Sequence, residues 1–166
     1  MRAIPLSAIA LTAALAGCAS APSSNPSEDP RADRLVNMRL TASRLNAGET
    51  GWATLVGRGD QTDATVMASG VPPQVSRPIH LYTYIYDGVC ASLAARPSHS
   101  LTAVVLARSG AAAGQMGPPY TVSNTAAVRL SELRATPHAI VVRSAPADGN
   151  QSLFCGDIAL RSPNDG

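Results

Sequence analysis

Ile79-His80-Leu81-Tyr82-Thr83-Tyr84-Ile85-Tyr86-Asp87-Gly88-Val89-Cys90 is the stretch on which the reading of the fold turns. From Ile79 to Tyr86 the side chains alternate one for one, the period of a strand and not of a helix. Ile79, Leu81, Thr83 and Ile85 share one face, which is the core face. His80, Tyr82, Tyr84 and Tyr86 share the other, a row of one imidazole and three phenols, each an apolar ring with a polar tip. The same short alternation extends along the chain from Met38, bounded by Gly, Pro, Asn and Asp, with no sustained helical stripe. Strands are expected near 38–45, 51–58, 63–69, 79–86, 101–107, 125–130, 138–143 and 152–160. The turn residues between them, such as Gly57-Arg58-Gly59-Asp60 and Val71-Pro72-Pro73, argue for an antiparallel sandwich or barrel. Ser131-Glu132-Leu133 reads as one helical turn in a loop. Ser109 to Pro119 reads as a flexible connection, because Gly110, Gly114 and Gly117 weigh against a helix there.

Ahead of the strands the composition changes. Arg2 supplies a positive charge, Ile4 to Leu15 an apolar run too short to span a bilayer, and Leu15-Ala16-Gly17-Cys18 closes the run with small residues before a cysteine. These residues resemble the lipobox of bacterial lipoproteins. The resemblance implies that Cys18 becomes the first mature residue, acylated on its sulfur and its amine. Ala19 follows it, where an Asp is the inner-membrane retention signal, so the expected address is an outer-membrane lipid anchor facing the periplasm. Ala19 to Asp33 is small, polar and broken by Pro, a tether with nothing to bury. The expected organisation is a signal peptide at 1–17, the lipidated cysteine and linker at 18–36, a β domain at 37–162 and a tail at 163–166.

With Cys18 committed to lipid, Cys90 and Cys155 remain as an even pair in an exported chain, and a Cys90–Cys155 disulfide is expected. Two cysteines without a CxxC motif make a poor structural zinc site. The chain has 13 basic and 11 acidic residues, so its charge is near neutral, and a hydrophobic content of 45% supports a real core. No basic run or basic helix is present, which argues against nucleic acid as a partner. Asp60, Asp63, Glu132 and Asp148 fall in turns or at strand ends, where solvated or capping roles are usual. The sequence shows no Gly-x-Ser-x-Gly elbow, HExxH or P-loop, so no catalytic residue is assigned and a non-enzymatic protein is expected.

Gly51-Trp52-Ala53-Thr54-Leu55, Val66-Met67-Ala68-Ser69-Gly70-Val71-Pro72-Pro73, Asp87-Gly88-Val89-Cys90 and Cys155-Gly156-Asp157-Ile158 follow one another in an order that resembles Cu,Zn superoxide dismutase-like domains and their bacterial relatives. The resemblance spans roughly residues 38–160. It implies an all-β fold, an eight-stranded Greek-key sandwich or barrel. It also implies a disulfide from the loop after the copper-binding strand to the last strand, the pairing already expected on redox grounds.

The metal ligands of that family are not kept. An ungapped reading back from Cys90 puts Tyr84-Ile85-Tyr86-Asp87-Gly88 on the family's His-x-His-acid-Gly motif, so both copper-holding positions are tyrosine. A gapped reading puts His80-Leu81-Tyr82 there and keeps one imidazole. Where a later strand of the family carries another copper-binding His, Ile140-Val141-Val142 is followed by Arg143, whose guanidinium has no lone pair to give a metal. Ser152-Leu153-Phe154 stands where the family keeps its substrate-guiding Arg. His99 is the sole candidate for a bridging ligand, and His138 lies outside any ligand spacing. No metal ligand and no cofactor are therefore assigned, the alternative being copper at an altered site around His80 and His99 with superoxide-dismutating activity.

Arg143 is expected to point the same way as the tyrosine row, stacking on a phenol or bonding its oxygen. His80, Tyr82, Tyr84, Tyr86 and Arg143 then either plug the vacated site or form a recognition surface for an envelope protein, a glycan or an anion, since Tyr and Arg dominate binding hot spots.

Overall fold

The computed structural model describes residues 34–111 and 117–160. The lipobox with Cys18, the tether, Gly114 and the tail lie outside the described residues. In chain order the elements are β1 (Leu35–Ala42), β2 (Gly51–Arg58), β3 (Gln61–Ala68), β4 (Tyr82–Val89), β5 (Ser92–Leu93), β6 (His99–Leu101), β7 (Arg108–Ser109), β8 (Tyr120–Ala126), α1 (Leu130–Leu133), β9 (His138–Arg143) and β10 (Ser152–Ile158). Every pairing is antiparallel, along the path β5-β4-β9-β10-β1-β2-β3-β8-β7, with β6 on β4.

The path folds into a sandwich-like arrangement because β1 belongs to both halves. Its first part, from Leu35 to Leu40, pairs with β2, while Thr41 and Ala42 pair with β10. One core cluster draws on both halves: Leu55, Val66 and Val122 from one side, Ile85, Ile140, Val142 and Phe154 from the other. In β2 and β3 the inward positions Ala53, Leu55, Ala64 and Val66 are buried while Trp52, Thr54, Thr65 and Met67 face out, the period-2 pattern of a sheet with one wet face. Gly59 and Asp60 join these strands in a two-residue turn, with Arg58 opposite Gln61. Such a turn needs positive φ at its first central residue, and Gly59 has φ 63. β9 differs: Ala139, Ile140, Val141 and Val142 are all buried, so this strand between β4 and β10 is covered on both faces.

The two ends of the path do not pair as strands. The gap is bridged by the buried side chain of Asn124 on β8, whose Nδ2 donates to Val104 O at 2.8 Å and whose Oδ1 accepts from Val104 N at 2.8 Å. The amide thus replaces a backbone partner for a segment that has turned away from the sheet.

Several expected boundaries move, for identifiable reasons. The strands at 51–58 and 138–143 stand where the alternation put them. Ten strands replace the expected eight, three of them only two or three residues long. The strand expected at 101–107 pairs as one only through β6, since Thr102 and Ala103 cross the gap; beyond it Leu81 N donates to Val105 O and His80 bridges Leu106. The strand expected at 125–130 is β8, displaced toward the N-terminus. Its inward row is Tyr120, Val122, Asn124 and Ala126, and a buried asparagine breaks the hydrophobic period there. The helical turn expected at 131–133 is α1. The connection at 109–119 is pinned at its ends, where Gly110 N donates to Pro119 O at 2.7 Å and Gly117 N to Ser109 Oγ at 2.8 Å.

Candidate functional site

Strand register builds the tyrosine face. β4 places Tyr82 opposite Arg143, Tyr84 opposite Val141 and Tyr86 opposite Ala139 on β9. The next strand places Cys155 opposite Val141 and Asp157 opposite Ala139. Residues opposite one another in a ladder share a face. The outward surface here is therefore a row of phenols beside two small apolar residues, with a cysteine and an acid beyond.

The end of β4 turns back over this surface. Gly88 has φ 98, and a Cβ there would lie 2.3 Å from Ser92 O, so the β4–β5 hairpin requires a glycine at that position. The turn presents Cys90 to Cys155, and the disulfide between them has a Cα–Cα distance of 5.9 Å. Cys90 N also donates to Asp157 Oδ1 at 2.6 Å.

Within the row, Tyr84 and Tyr86 meet edge to face with centroids 6.3 Å apart. The Arg143 guanidinium lies 5.8 Å from the Tyr86 centroid. Its Nη1 donates to Asn150 O at 3.3 Å, and its Nε is buried with no hydrogen-bond partner among the described residues. Tyr86 is 6% exposed, so its ring is packed into the surface. Tyr82 and Tyr84 remain half-buried.

Burial raises the Tyr84 phenol above its usual value near 10; the neighbouring Tyr86 and Tyr82 push the same way, and Arg143 opposes them. A tyrosine harder to ionise when folded than unfolded contributes stability that is fully present below pH 10 and is lost as pH rises through the folded pKa. Melting curves between neutral pH and strong alkali should show this loss, and Tyr84→Phe should flatten it. An unchanged alkaline slope in Tyr84→Phe would place the effect on another group.

The histidines do not gather. His80 lies outside β4, bridged to Leu106, and this corrects its expected place in the continuous strand row: the chain leaves the β9 ladder before Tyr82. His99 stands opposite Ile85, five residues further along, which at strand rise is about 16 Å from His80, farther than two imidazoles on one ion reach. His138 engages Asp87 at 3.3 Å through Nε2, while Nδ1 faces the carbonyls of Leu133 and Thr136. Among the described residues no three His, Cys, Asp or Glu side chains come together. A phenol held in its protonated form and a guanidinium are poor cation donors, so this face does not fit a copper–zinc pair.

No family model, curated protein or solved structure matches the chain. The site is therefore read from its own residues. Sequence reasoning did not reach the Asp87–His138 pair, which joins β4 to the first residue of β9, nor the Asn150 carbonyl that holds Arg143. No motif marks either; both follow from strand register. It also passed over Trp52, which the alternation of β2 turns outward and leaves 43% exposed.

Proposed function

We propose that the chain is a cell-envelope lipoprotein, held in the outer membrane by lipid on Cys18 and facing the periplasm. Its β domain is superoxide dismutase-like and serves as a non-catalytic binding or structural module. The observation that carries this reading is the replacement at the outward face of β4: Tyr84 and Tyr86 stand where the resemblance implies copper-holding imidazoles, with Arg143 against Tyr86. Two further features support it. The disulfide joins the segment after β4 to the last strand. Every strand pairing is antiparallel and one core cluster is shared by both halves of the path, as an all-β sandwich requires.

The cluster divides by exposure and contact. Buried Tyr86, with half-buried Arg143 against its ring, acts as filling for the vacated site, and the half-buried Tyr82 and Tyr84 are the surface an envelope protein, a glycan or an anion would meet. Mass spectrometry tests the whole reading, on chain purified from membranes without chelator and then offered copper and zinc. The expected result is acyl mass on Cys18 and no metal above background. About one copper per chain, lost in His80→Ala, would falsify the proposal in favour of the altered copper site.

A further inference from the structure

The outward face of the β1-β2-β3-β8 sheet carries one row unlike the rest. Register sets Arg39, Trp52, Met67, Thr121 and Arg108 side by side across five strands. The row below it is an ordinary polar ladder of Asn37, Thr54, Thr65 and Ser123, in which Thr54 donates to Asn37 at 2.8 Å and Thr65 bonds Ser123 at 3.0 Å, and the next sets Leu35 and Val56 beside Asp63 and Thr125. In the distinctive row Trp52 is 43% and Met67 41% exposed, and the Arg39 guanidinium lies 5.8 Å from the Trp52 ring. Val104 and Leu106, 48% and 53% exposed, continue the apolar surface past Thr121, lining one open groove with it and with Arg108. Four of the eight large apolar side chains that the described residues expose therefore lie on one surface, with an arginine on β1 and another on β7.

That row holds no carboxylate. Asp63, two rows away, is tied to Arg58 and Thr125, and Glu49, beyond the end of β3, accepts the Ser69 hydroxyl. We infer that this face docks on an anionic lipid surface, with Trp52 and Met67 at headgroup level and Arg39 and Arg108 against lipid phosphates. Tryptophan prefers the membrane interface, where its ring is apolar and its N–H wet, and basic residues near anionic lipid gain about 1 kcal/mol each. A second copy fits the face poorly, because a twofold contact would set arginines against arginines with no acid between them.

The inference rests on the anchor reading for its geometry: residues 19–33 separate Cys18 from the first described residue, and a chain of that length reaches at most about 50 Å, which keeps the domain close to the bilayer.

Trp52 is the chain's only tryptophan, so its fluorescence reports this face alone. The full chain, reconstituted into vesicles containing phosphatidylglycerol, should show a blue-shifted emission quenched by lipids brominated near the headgroup. In the doubly substituted chain Arg39→Gln, Arg108→Gln the ratio of docked to undocked protein should fall about thirtyfold, the equivalent of two arginines at the surface. Trp52 left in water in those vesicles overturns the inference. So does an equal shift in phosphatidylcholine vesicles, or one that appears without lipid and grows with protein concentration, which would assign the face to a protein partner. Mass spectrometry of the same sample separates the two readings. An acylated Cys18 with Trp52 in water removes the docking alone, whereas an unmodified Cys18 with a lipid-dependent shift removes the anchor and keeps the face.

Discussion

Replacing Cys90 and Cys155 together by alanine is expected to lower the melting temperature by roughly 15 °C, equivalent to about 4 kcal/mol for a domain of this size. The disulfide closes a loop with a sequence separation of 65, and most of its effect falls on the unfolded chain, which loses the conformations that would hold its two ends apart. A smaller part is local. The bond ties the β4–β5 turn to Cys155, the ladder partner of Val141, which is 1% exposed. The double substitution avoids the free thiol that either single variant would leave, and thiol reductant added to the native protein should reproduce the shift. A double variant melting within a few degrees of the native protein would mean that the β4–β9 ladder and the Cys90–Asp157 hydrogen bond hold this region unaided.

Phe154→Ala should cost about 3–5 kcal/mol in urea unfolding, through lost burial and the cavity left behind. Phe154 is the chain's only phenylalanine and is fully buried where β10 meets β1, opposite Ala42. Its ring occupies the space above Gly51: a Cβ on Gly51 would lie 2.9 Å from Phe154 Cδ1 and 3.2 Å from Leu40 Cβ. Gly51→Ala alone should therefore be overpacked and cost about 1–3 kcal/mol. The two changes should not add. Without the ring the methyl group has room and refills part of the cavity, so the double variant should be more stable than the sum of the single costs implies, by about 1 kcal/mol or more. Strict additivity would show that the glycine is required by the backbone and not by the ring.

These expectations show where the sequence was informative. The core face of the tyrosine strand was legible because Ile79, Leu81, Thr83 and Ile85 alternate with polar-tipped residues, and all four are buried. The disulfide was legible from cysteine chemistry: with Cys18 read as a lipid-bearing residue, Cys90 and Cys155 were the pair left over. The β2–β3 hairpin was legible because its turn places glycine where φ must be positive. The strand around Asn124 was not, because a buried amide looks like a turn residue until its partner, the Val104 backbone, is known. His80 was assigned to the tyrosine row by parity alone, and parity does not say where a chain leaves one ladder to join another.

The sequence by itself determined the element type, the inward and outward parity of most strands, the disulfide pair and the identity of the residues standing on the expected metal positions. Each of these depends on local period or on residue chemistry, which a single chain carries in full. Tertiary structure alone decided which strands lie side by side, and with that the neighbours of every side chain. Register put Arg143 across from Tyr82, buried Tyr86 while leaving Tyr84 half-exposed, kept His80 and His99 apart, and lined up Arg39, Trp52, Met67 and Arg108 across five strands. Residues far apart in sequence become neighbours only when many weak contacts are satisfied together, so local alternation announces the tyrosine row of one strand but neither the ladder neighbours that complete it nor the row from Arg39 to Arg108.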